Sequence, residues 1–205
     1  MHRLLIASHN KSKSKDLARL FIGHPIGIQF AYEMNMPDIE EIGKSFEENA
    51  RLKSTQAAKT SGMLSLADDS GLCIPSWDNQ PGIHSKRFAQ SKGGWKAGMN
   101  ALKPFALKNE EAIFYCSLSM AWPDGENVTV LGALAGFLSW PPKGEYGSGF
   151  DPIFSLVPNG ERIGEMSEQR REHINHRANA FLKLQDYICI GKNGVMKAQK
   201  TSQKQ

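Results

Sequence analysis

The sequence predicts an α/β fold built on a mixed β-sheet, for two reasons. Short apolar segments of strand length are interspersed along the chain with segments of helical spacing. Residues 112–122 and 128–138 are rich in β-forming side chains and flank the turn 123–126, which predicts an antiparallel hairpin. Helices among the strands, together with a hairpin, indicate a mixed sheet flanked by helices.

Length and composition fit one domain, or one domain with two lobes. The chain has 205 residues and a hydrophobic content of 40%, which is enough for a sizeable core. No apolar run approaches the roughly 20 residues of a membrane span, and the N-terminus leads into a strand without a signal-peptide pattern. The 3 cysteines are widely spaced, without metal-type pairing. We expect a cytoplasmic protein with reduced thiols, no membrane partner and a single domain at 1–191.

The net charge of +4 suggests nucleic-acid binding, but the distribution of charge argues against it. Four lysines lie in the acid-free stretch 192–205, and the rest of the chain has equal numbers of basic and acidic residues. The stretch is polar and weakly patterned, so we expect a basic, flexible C-terminal tail. A basic tail alone is weak evidence, and no stable nucleic-acid complex is expected.

The first strand leads into a polar turn that has the properties of a phosphate site. Residues 3–8 read as a buried strand, and Asn10 can cap the helix that follows. Free backbone N–H groups and the helix dipole favour an anion there, and Lys11, Lys13 and Lys15 add positive charge. The spaced glycines of a Walker loop are missing, and a solvated basic helix start is the alternative.

A second helix is predicted by the capping-box pair Ser45 and Glu48, with Gly62 as its C-terminal stop. Asn49 and Lys53 fall on the same stripe of this helix as its apolar residues. A lysine on an inward-facing stripe is unfavourable unless it meets an anion. We therefore expect Lys53 to lie beside a phosphate or the aspartates of the stretch 64–72, with extension of its amine to solvent as the alternative.

The stretch 64–72 is the centre of the predicted site. It reads as a short buried strand that stops at Asp68 and Asp69, and we interpret Ser70-Gly71 as a turn. Adjacent side chains of a strand point to opposite faces, so a turn is needed for both carboxylates to serve one site. Two neighbouring carboxylates repel each other unless a cation lies near them. A solvated turn is the alternative.

Two later segments add candidate ligand-binding groups. Residues 140–154 are rich in glycine, which suits a loop that approaches a ligand closely. Asn175 is predicted to cap a helix that starts at His176, and an anionic or polar ligand would explain Arg177 in its first turn. The alternative for the glycine-rich segment is an ordinary loop, and the alternative for His176 and Arg177 is a simple surface pair.

The stretch 91–98 contains two consecutive glycines and is predicted to be a flexible connection.

Together these motifs resemble those of the inosine triphosphate pyrophosphatase family, also called non-canonical purine NTP pyrophosphatases or XTP/dITP diphosphatases. The resemblance covers roughly Leu4 to Leu184. Any one motif is weak evidence, whereas six in the same order and spacing are specific. They are Ser8-His9-Asn10 with Lys13, Phe46-Glu47-Glu48-Asn49-Ala50 with Lys53, Leu66-Ala67-Asp68-Asp69-Ser70-Gly71-Leu72, Pro81-Gly82-Ile83 with Ser85 and Arg87, Gly149-Phe150-Asp151-Pro152-Ile153-Phe154, and His176-Arg177.

The resemblance implies an elongated fold with two lobes around a central cleft, a homodimer, and Mg²⁺-dependent hydrolysis of ITP, dITP and XTP to the monophosphate and pyrophosphate. It implies that Glu41 and Asp69 hold magnesium with Asp68 alongside, and that Asp69 orients or deprotonates the attacking water. Lys53 is implied to hold the triphosphate and is counted with the two aspartates as catalytic. The implied substrate-binding residues are Ser8, His9, Asn10, Lys11, Ser12, Lys13, Ser70, Ser148, Gly149, Phe150, Asp151, Arg171, His176 and Arg177.

The sequence departs from the family pattern at four positions. His9 replaces a usual glycine and is expected to crowd the phosphate turn. Ser148 replaces a usual aromatic residue, which leaves Phe150 as the aromatic side chain of the loop from Gly147 to Asp151, and we expect this loop to lie over the purine. Arg171 replaces a lysine and Asn175 a serine, and these changes keep charge and capping.

Two other functions are kept as alternatives. A Maf-like nucleotide pyrophosphatase would act on dTTP or UTP, but the loop with Phe150 and the pair His176-Arg177 argue against it. A nucleic-acid-binding protein would bind phosphates through its tail and the lysines of the first helix. The balanced charge of the body and the acidic residues of the predicted site argue against that function.

Overall fold

The computed structural model describes residues 3–190 and 196–198. Strands and helices follow one another along the chain, joined by short 3-10 segments. The elements in chain order are β1 (Arg3–Ile6), α1 (Lys11–Arg19), β2 (Gly27–Phe30), α2 (Phe46–Ser61), β3 (Leu64–Ile74), β4 (Gln80–Pro81), α3 (Ser85–Ser91), α4 (Trp95–Ala101), α5 (Lys103–Ala106), β5 (Glu111–Ala121), β6 (Asn127–Leu138), β7 (Phe154–Ser155), α6 (Glu168–His173), α7 (His176–Gln185), β8 (Ile188–Ile190) and β9 (Met196–Ala198).

The main sheet is mixed, as predicted. Its strand order is β2-β1-β3-β5-β6-β7, and β4 pairs with β3. β1 runs parallel to β2 and to β3, whereas β4 is antiparallel to β3 and β7 is antiparallel to β6. β5 and β6 form the predicted hairpin, in which the Trp122 N–H donates to the carbonyl of Glu126 at 2.8 Å. The α/β fold class predicted from the sequence is therefore confirmed.

The chain divides into two compact units. Unit 1 comprises Met1–Asp69, Cys116–Gly132 and Asn179–Gln205, and its largest core cluster includes Leu4, Leu66, Leu118 and Phe181. Unit 2 comprises Ser70–Tyr115 and Ala133–Ala178. Its core includes Leu72, Phe114, Phe150 and Phe154. β3, β5 and β6 contribute residues to both units, so each unit has its own apolar core on part of the same strands.

The third strand is longer than predicted, and the turn expected at Ser70-Gly71 is wrong. β3 continues through both residues to Ile74. A Cβ at position 71 would overlap the carbonyl oxygen of Gly82. The Ser85 hydroxyl donates to that carbonyl at 2.7 Å and accepts a hydrogen bond from the Leu72 N–H at 2.9 Å. Glycine is required here because another segment packs closely against the strand. In the sequence alone, a glycine kept for such a contact looks the same as a glycine in a turn.

The C-terminal region is described only in part. Most of the predicted basic tail, 192–205, lies outside the described residues. Met196–Ala198 pairs antiparallel with Ile188–Ile190, a strand that the weak patterning of this segment does not predict. Among the described residues, no helix is both long and apolar enough to cross a membrane. Cys73 and Cys116 are buried free thiols, as expected.

Candidate active site

The predicted phosphate turn lies where β1 ends and α1 begins. The Asn10 carboxamide oxygen accepts hydrogen bonds from the N–H groups of Ser12 at 3.1 Å and Lys13 at 3.2 Å, so the predicted cap is confirmed. The Ser14 hydroxyl donates to the carbonyl of Ser8 at 3.1 Å. These side chains fix the turn while the side chain of Lys11 stays exposed. The turn therefore presents a helix N-terminus and positive charge to the same region.

His9 makes contacts that the sequence does not predict. Its Nε2 lies 2.8 Å from the carbonyl oxygen of Met36, and its Nδ1 lies 3.3 Å from the Asp38 carboxylate. The imidazole thus links the phosphate turn to the loop that leads to Glu41. These contacts direct the ring to the loop at 36–38, a different environment from the crowded phosphate turn that we expected.

Helix α2 begins and ends as predicted. The Ser45 hydroxyl accepts a hydrogen bond from the Glu48 N–H at 3.1 Å, and the Glu48 carboxylate accepts one from the Lys44 N–H at 2.7 Å. Gly62 ends the helix in the left-handed conformation with φ of 66°. These caps define where the helix begins and ends. The helical period then places a fixed set of side chains on the inward face.

Asn49 connects the loop before α2 to the aspartates of β3. Its side chain is 2% exposed. The carboxamide oxygen accepts a hydrogen bond from the Gly43 N–H at 2.7 Å, and the amide nitrogen donates to Asp69 at 3.0 Å. The helical pattern predicts that Asn49 lies on the inward stripe, but it predicts no partner for this residue. A buried amide needs hydrogen-bonding groups opposite it, so an asparagine on that stripe indicates polar partners in the core.

Lys53 faces carboxylates and not solvent, which excludes the solvent-extended alternative, but its ion pair is with Glu41 and not with one of the aspartates that we expected. Its amine lies 2.6 Å from Glu41, and its side chain is 12% exposed. Burial by itself would lower the pKa of Lys53, but the negative charges of Asp68, Glu41 and Asp69 outweigh burial and raise it. Lys53 therefore stays protonated at neutral pH.

Lys13 makes the second ion pair of this region. Its amine lies 3.2 Å from the carboxylate of Asp68, which is 2% exposed. We call Glu41, Asp68, Asp69, Lys13 and Lys53 the carboxylate–lysine cluster. All five residues belong to unit 1. The structure thus brings the predicted catalytic and metal-binding residues together without the turn that seemed necessary.

Asp69 is a buried carboxylate of the cluster whose ionised form is disfavoured in the folded protein. Burial raises its pKa most, the charge of Lys53 lowers it, and the charge of Glu41 raises it again, giving a pKa of about 6. The two lysines make their hydrogen bonds to the other two carboxylates, whereas the neutral Asn49 donates to Asp69. A buried carboxylate in this situation would gain stability from an added cation.

The cluster fits a magnesium ion better than a metal held by protein ligands alone. Three carboxylates against two lysines leave a negative charge when all are ionised. Within the described part of the chain, no three His, Cys, Asp or Glu side chains form a group that could hold a metal by themselves. Mg²⁺ is usually held by one or two carboxylates, several waters and substrate phosphates, so it does not need such a group.

The loop from Gly147 to Asp151 belongs to unit 2 and is closed by its own aspartate. The Asp151 carboxylate accepts a hydrogen bond from the Ser148 N–H at 2.7 Å. Phe150 is 2% exposed and packs in the core of this unit. A ring buried in this way has no face left for a purine, so Phe150, which we expected to contact the substrate, cannot stack on the base. The sequence shows an aromatic residue in a loop but not the direction of its ring.

The basic residues near α7 also lie in unit 2. Asn175 caps α7 as predicted, since its side-chain oxygen accepts a hydrogen bond from the Ala178 N–H at 2.8 Å. The His176 ring is buried and stacks on Phe114, with ring centroids 5.1 Å apart. The Arg171 Nε donates to the carbonyl of Met166 at 3.2 Å. Packing and hydrogen bonds thus orient these side chains without a ligand.

The fold and the cluster define a class of protein before any comparison is made. A capped helix N-terminus with lysines, beside two buried aspartates on a parallel strand, is typical of α/β proteins that bind phosphorylated ligands together with a divalent cation. Comparison with known proteins identifies the family. The model of the Ham1 family matches residues 4–187, and the chain belongs to this family.

Relatives and solved structures agree with this assignment. The chain is 37% identical to the dITP/XTP pyrophosphatase of Gluconobacter oxydans, with 87% of each chain covered. It is 38% identical to the dITP/XTP pyrophosphatase of Rhodospirillum centenum, covering 88% of this chain and 92% of the relative. The structure of the Staphylococcus aureus Ham1 protein matches with a TM-score of 0.78 and 33% identity, covering 90% of this chain and 97% of that one. The family resemblance drawn from the motifs is therefore confirmed.

Proposed function

We propose that this protein is a nucleoside triphosphate hydrolase that converts dITP, XTP and ITP to the monophosphate and pyrophosphate. One observation supports this proposal most. In this Ham1-family chain the carboxylate–lysine cluster is assembled, with the Lys53 amine hydrogen-bonded to Glu41 and the Asn49 amide hydrogen-bonded to Asp69. Relatives at 37% and 38% identity bear the name dITP/XTP pyrophosphatase. The expected role is removal of non-canonical purines from the cytoplasmic nucleotide pool.

The residues of unit 1 would perform the hydrolysis. The N-terminus of α1 and Lys13 would bind the triphosphate. A water oxygen forms a bond to the α-phosphorus, the bond from that phosphorus to the α–β bridging oxygen breaks, and pyrophosphate leaves. Asp69, with a pKa of about 6, is ionised at pH 7.5 and can orient the water and accept its proton. Lys53 stays protonated and stabilises the negative charge that develops on the phosphate oxygens.

Glu41 and Asp69 would hold a magnesium ion. When bound, the ion supplies neutralisation of phosphate charge and activation of water. The ion pair with Lys53 already holds the Glu41 carboxylate at the cluster, in a position to bind a magnesium ion. Asp68 is already paired with Lys13 and would act beside the metal as an electrostatic neighbour.

Residues of unit 2 would recognise the base. We assign this role to the loop at Ser148–Asp151 and to Arg171, His176 and Arg177, and Ser70 is a further proposed contact with the substrate. Packing and hydrogen bonds hold the loop, Arg171 and His176 in place, so polar groups of a purine would meet fixed partners. A site of fixed polar partners discriminates against bases that leave those partners unpaired.

The test is a panel of nucleotides assayed for pyrophosphate release with Mg²⁺. ITP, dITP and XTP should be cleaved with kcat/KM at least about a hundredfold above that of ATP, GTP, dTTP and UTP, within the range that polar recognition achieves. Preference for dTTP or UTP would favour the Maf-like alternative. Absence of turnover combined with salt-dependent duplex binding would favour nucleic-acid binding. Light scattering after size-exclusion chromatography tests the proposed homodimer.

A further inference from the structure

We propose that Trp95 provides the aromatic surface for the purine base that the loop at 147–151 lacks. This inference rests on the proposed function, because it concerns the base of the same substrate. Ser148 is exposed and has no ring, and the Phe150 ring is 2% exposed. A ring that stacks on a base held by this loop must therefore come from a different segment.

Trp95 is the first residue of α4 and is in direct contact with the loop. Its Cζ3 and Cη2 atoms lie 3.4 and 3.5 Å from the position that a Cβ on Gly149 would take. Gly149 has φ of +66°, a conformation that glycine adopts without strain. The benzene ring of the indole thus lies against the backbone of the loop, one residue from the position where relatives are expected to have their ring.

The indole is anchored but remains accessible. It meets the Phe150 ring at an interplanar angle of 88° with centroids 5.2 Å apart, a stable edge-to-face pair. Trp95 is nevertheless 42% exposed. Because one part of the indole is fixed by packing and another is open, a base can stack on it with little loss of side-chain entropy.

The other aromatic side chains of unit 2 fit this role less well. Trp77 stacks on Phe105 with centroids 5.3 Å apart. Trp140 packs against the core of unit 2, with the amine of Lys103 5.4 Å from its ring centroid. Tyr146 is 57% exposed and lies near the start of the loop, so it is the competing candidate that the test must exclude.

The test compares Trp95→Leu, which removes the aromatic ring, with Trp95→Phe, which keeps one. With dITP as substrate and pyrophosphate release as the readout, we expect Trp95→Leu to raise KM about tenfold and to change kcat by less than about twofold, as the loss of one stacked ring predicts. Trp95→Phe should keep KM close to the wild-type value. Tyr187→Leu is the matched control, because Tyr187 is similarly exposed at 40% but lies in unit 1.

A binding measurement complements the kinetics without turnover. IMP should quench the tryptophan fluorescence of the wild type, and Trp95→Phe should remove most of this quenching. An unchanged KM in Trp95→Leu, or a similar rise in KM caused by Tyr146→Leu alone, would overturn the assignment. Failure of the wild type to release pyrophosphate from any purine triphosphate is a different result, and it would overturn the proposed function itself.

Discussion

Replacement of Asp69 by asparagine should stabilise the metal-free protein while it abolishes catalysis. Burial raises the pKa of Asp69 from 3.8 to about 6. Between these two values the folded state binds more protons at this position than the unfolded state, so Asp69 makes the free energy of unfolding fall as pH rises through that window. A difference of about two pKa units corresponds to about 3 kcal/mol of destabilisation at pH 7.5, and about 1 kcal/mol remains at pH 4.5.

Asparagine removes this cost, because its amide is neutral and can still accept the hydrogen bond from Asn49. In EDTA at pH 7.5, the Asp69→Asn variant should melt roughly 6–12 °C above the wild type, and the difference should shrink to a few degrees at pH 4.5. Mg²⁺ should raise the melting temperature of the wild type but not that of the variant.

The matched control is Asp186→Asn, which removes the same charge at an exposed position in unit 1 and should leave the melting temperature nearly unchanged. The reasoning is refuted if Asp69→Asn is no more stable than the wild type in EDTA at pH 7.5. That result would mean that the carboxylate of Asp69 is already well compensated in the folded protein.

Three further substitutions test separate parts of the site. Lys53→Met should lower kcat by about 100- to 1000-fold, because a buried charged donor is lost, while Lys59→Met at an exposed position of α2 should not. Asn49→Leu should lower the free energy of unfolding by about 1–3 kcal/mol in urea denaturation, because the groups bonded to this amide lose a buried partner. In a Trp95→Leu background, Ser148→Phe should lower KM for dITP several-fold, since it restores a ring to the loop.

Each of these has a contradicting result. A wild-type kcat in Lys53→Met would show that its amine does not act on the reacting phosphate. An unchanged urea midpoint in Asn49→Leu would mean that the two hydrogen bonds of this amide add little net stability. A higher KM after the addition of Ser148→Phe would show that the loop has no room for an aromatic ring.

Local signals explain what the sequence could predict. The cap of α2 depends on residues three positions apart in the sequence. The helical period of 3.6 residues then determines which side chains of α2 face the core. Asn49 and Lys53 were therefore placed correctly on the inward stripe. The predicted partner of Lys53 was a phosphate or the aspartates, and Glu41 was not predicted because this ion pair depends on how the loop at 36–43 folds back.

Tertiary contacts explain what the sequence could not predict. Gly71 looks like part of a turn, but it lies within β3 because the carbonyl of Gly82 approaches it. Phe150 looks like a ligand contact, but its ring completes the core of unit 2. Trp95 was missed because the two glycines before it suggest a flexible connection, whereas the structure starts α4 at this residue. In each case the local pattern is ambiguous and long-range packing decides.

The most direct test of the proposed reaction is ³¹P NMR of the products formed from dITP with Mg²⁺. We predict pyrophosphate and dIMP in equal amounts, because water attacks the α-phosphorus. With the Asp69→Asn variant, we predict no product above background. Formation of orthophosphate and dIDP would place the attack at the γ-phosphorus and contradict the proposed reaction. Full activity of the Asp69→Asn variant would contradict the assignment of the carboxylate–lysine cluster as the catalytic centre.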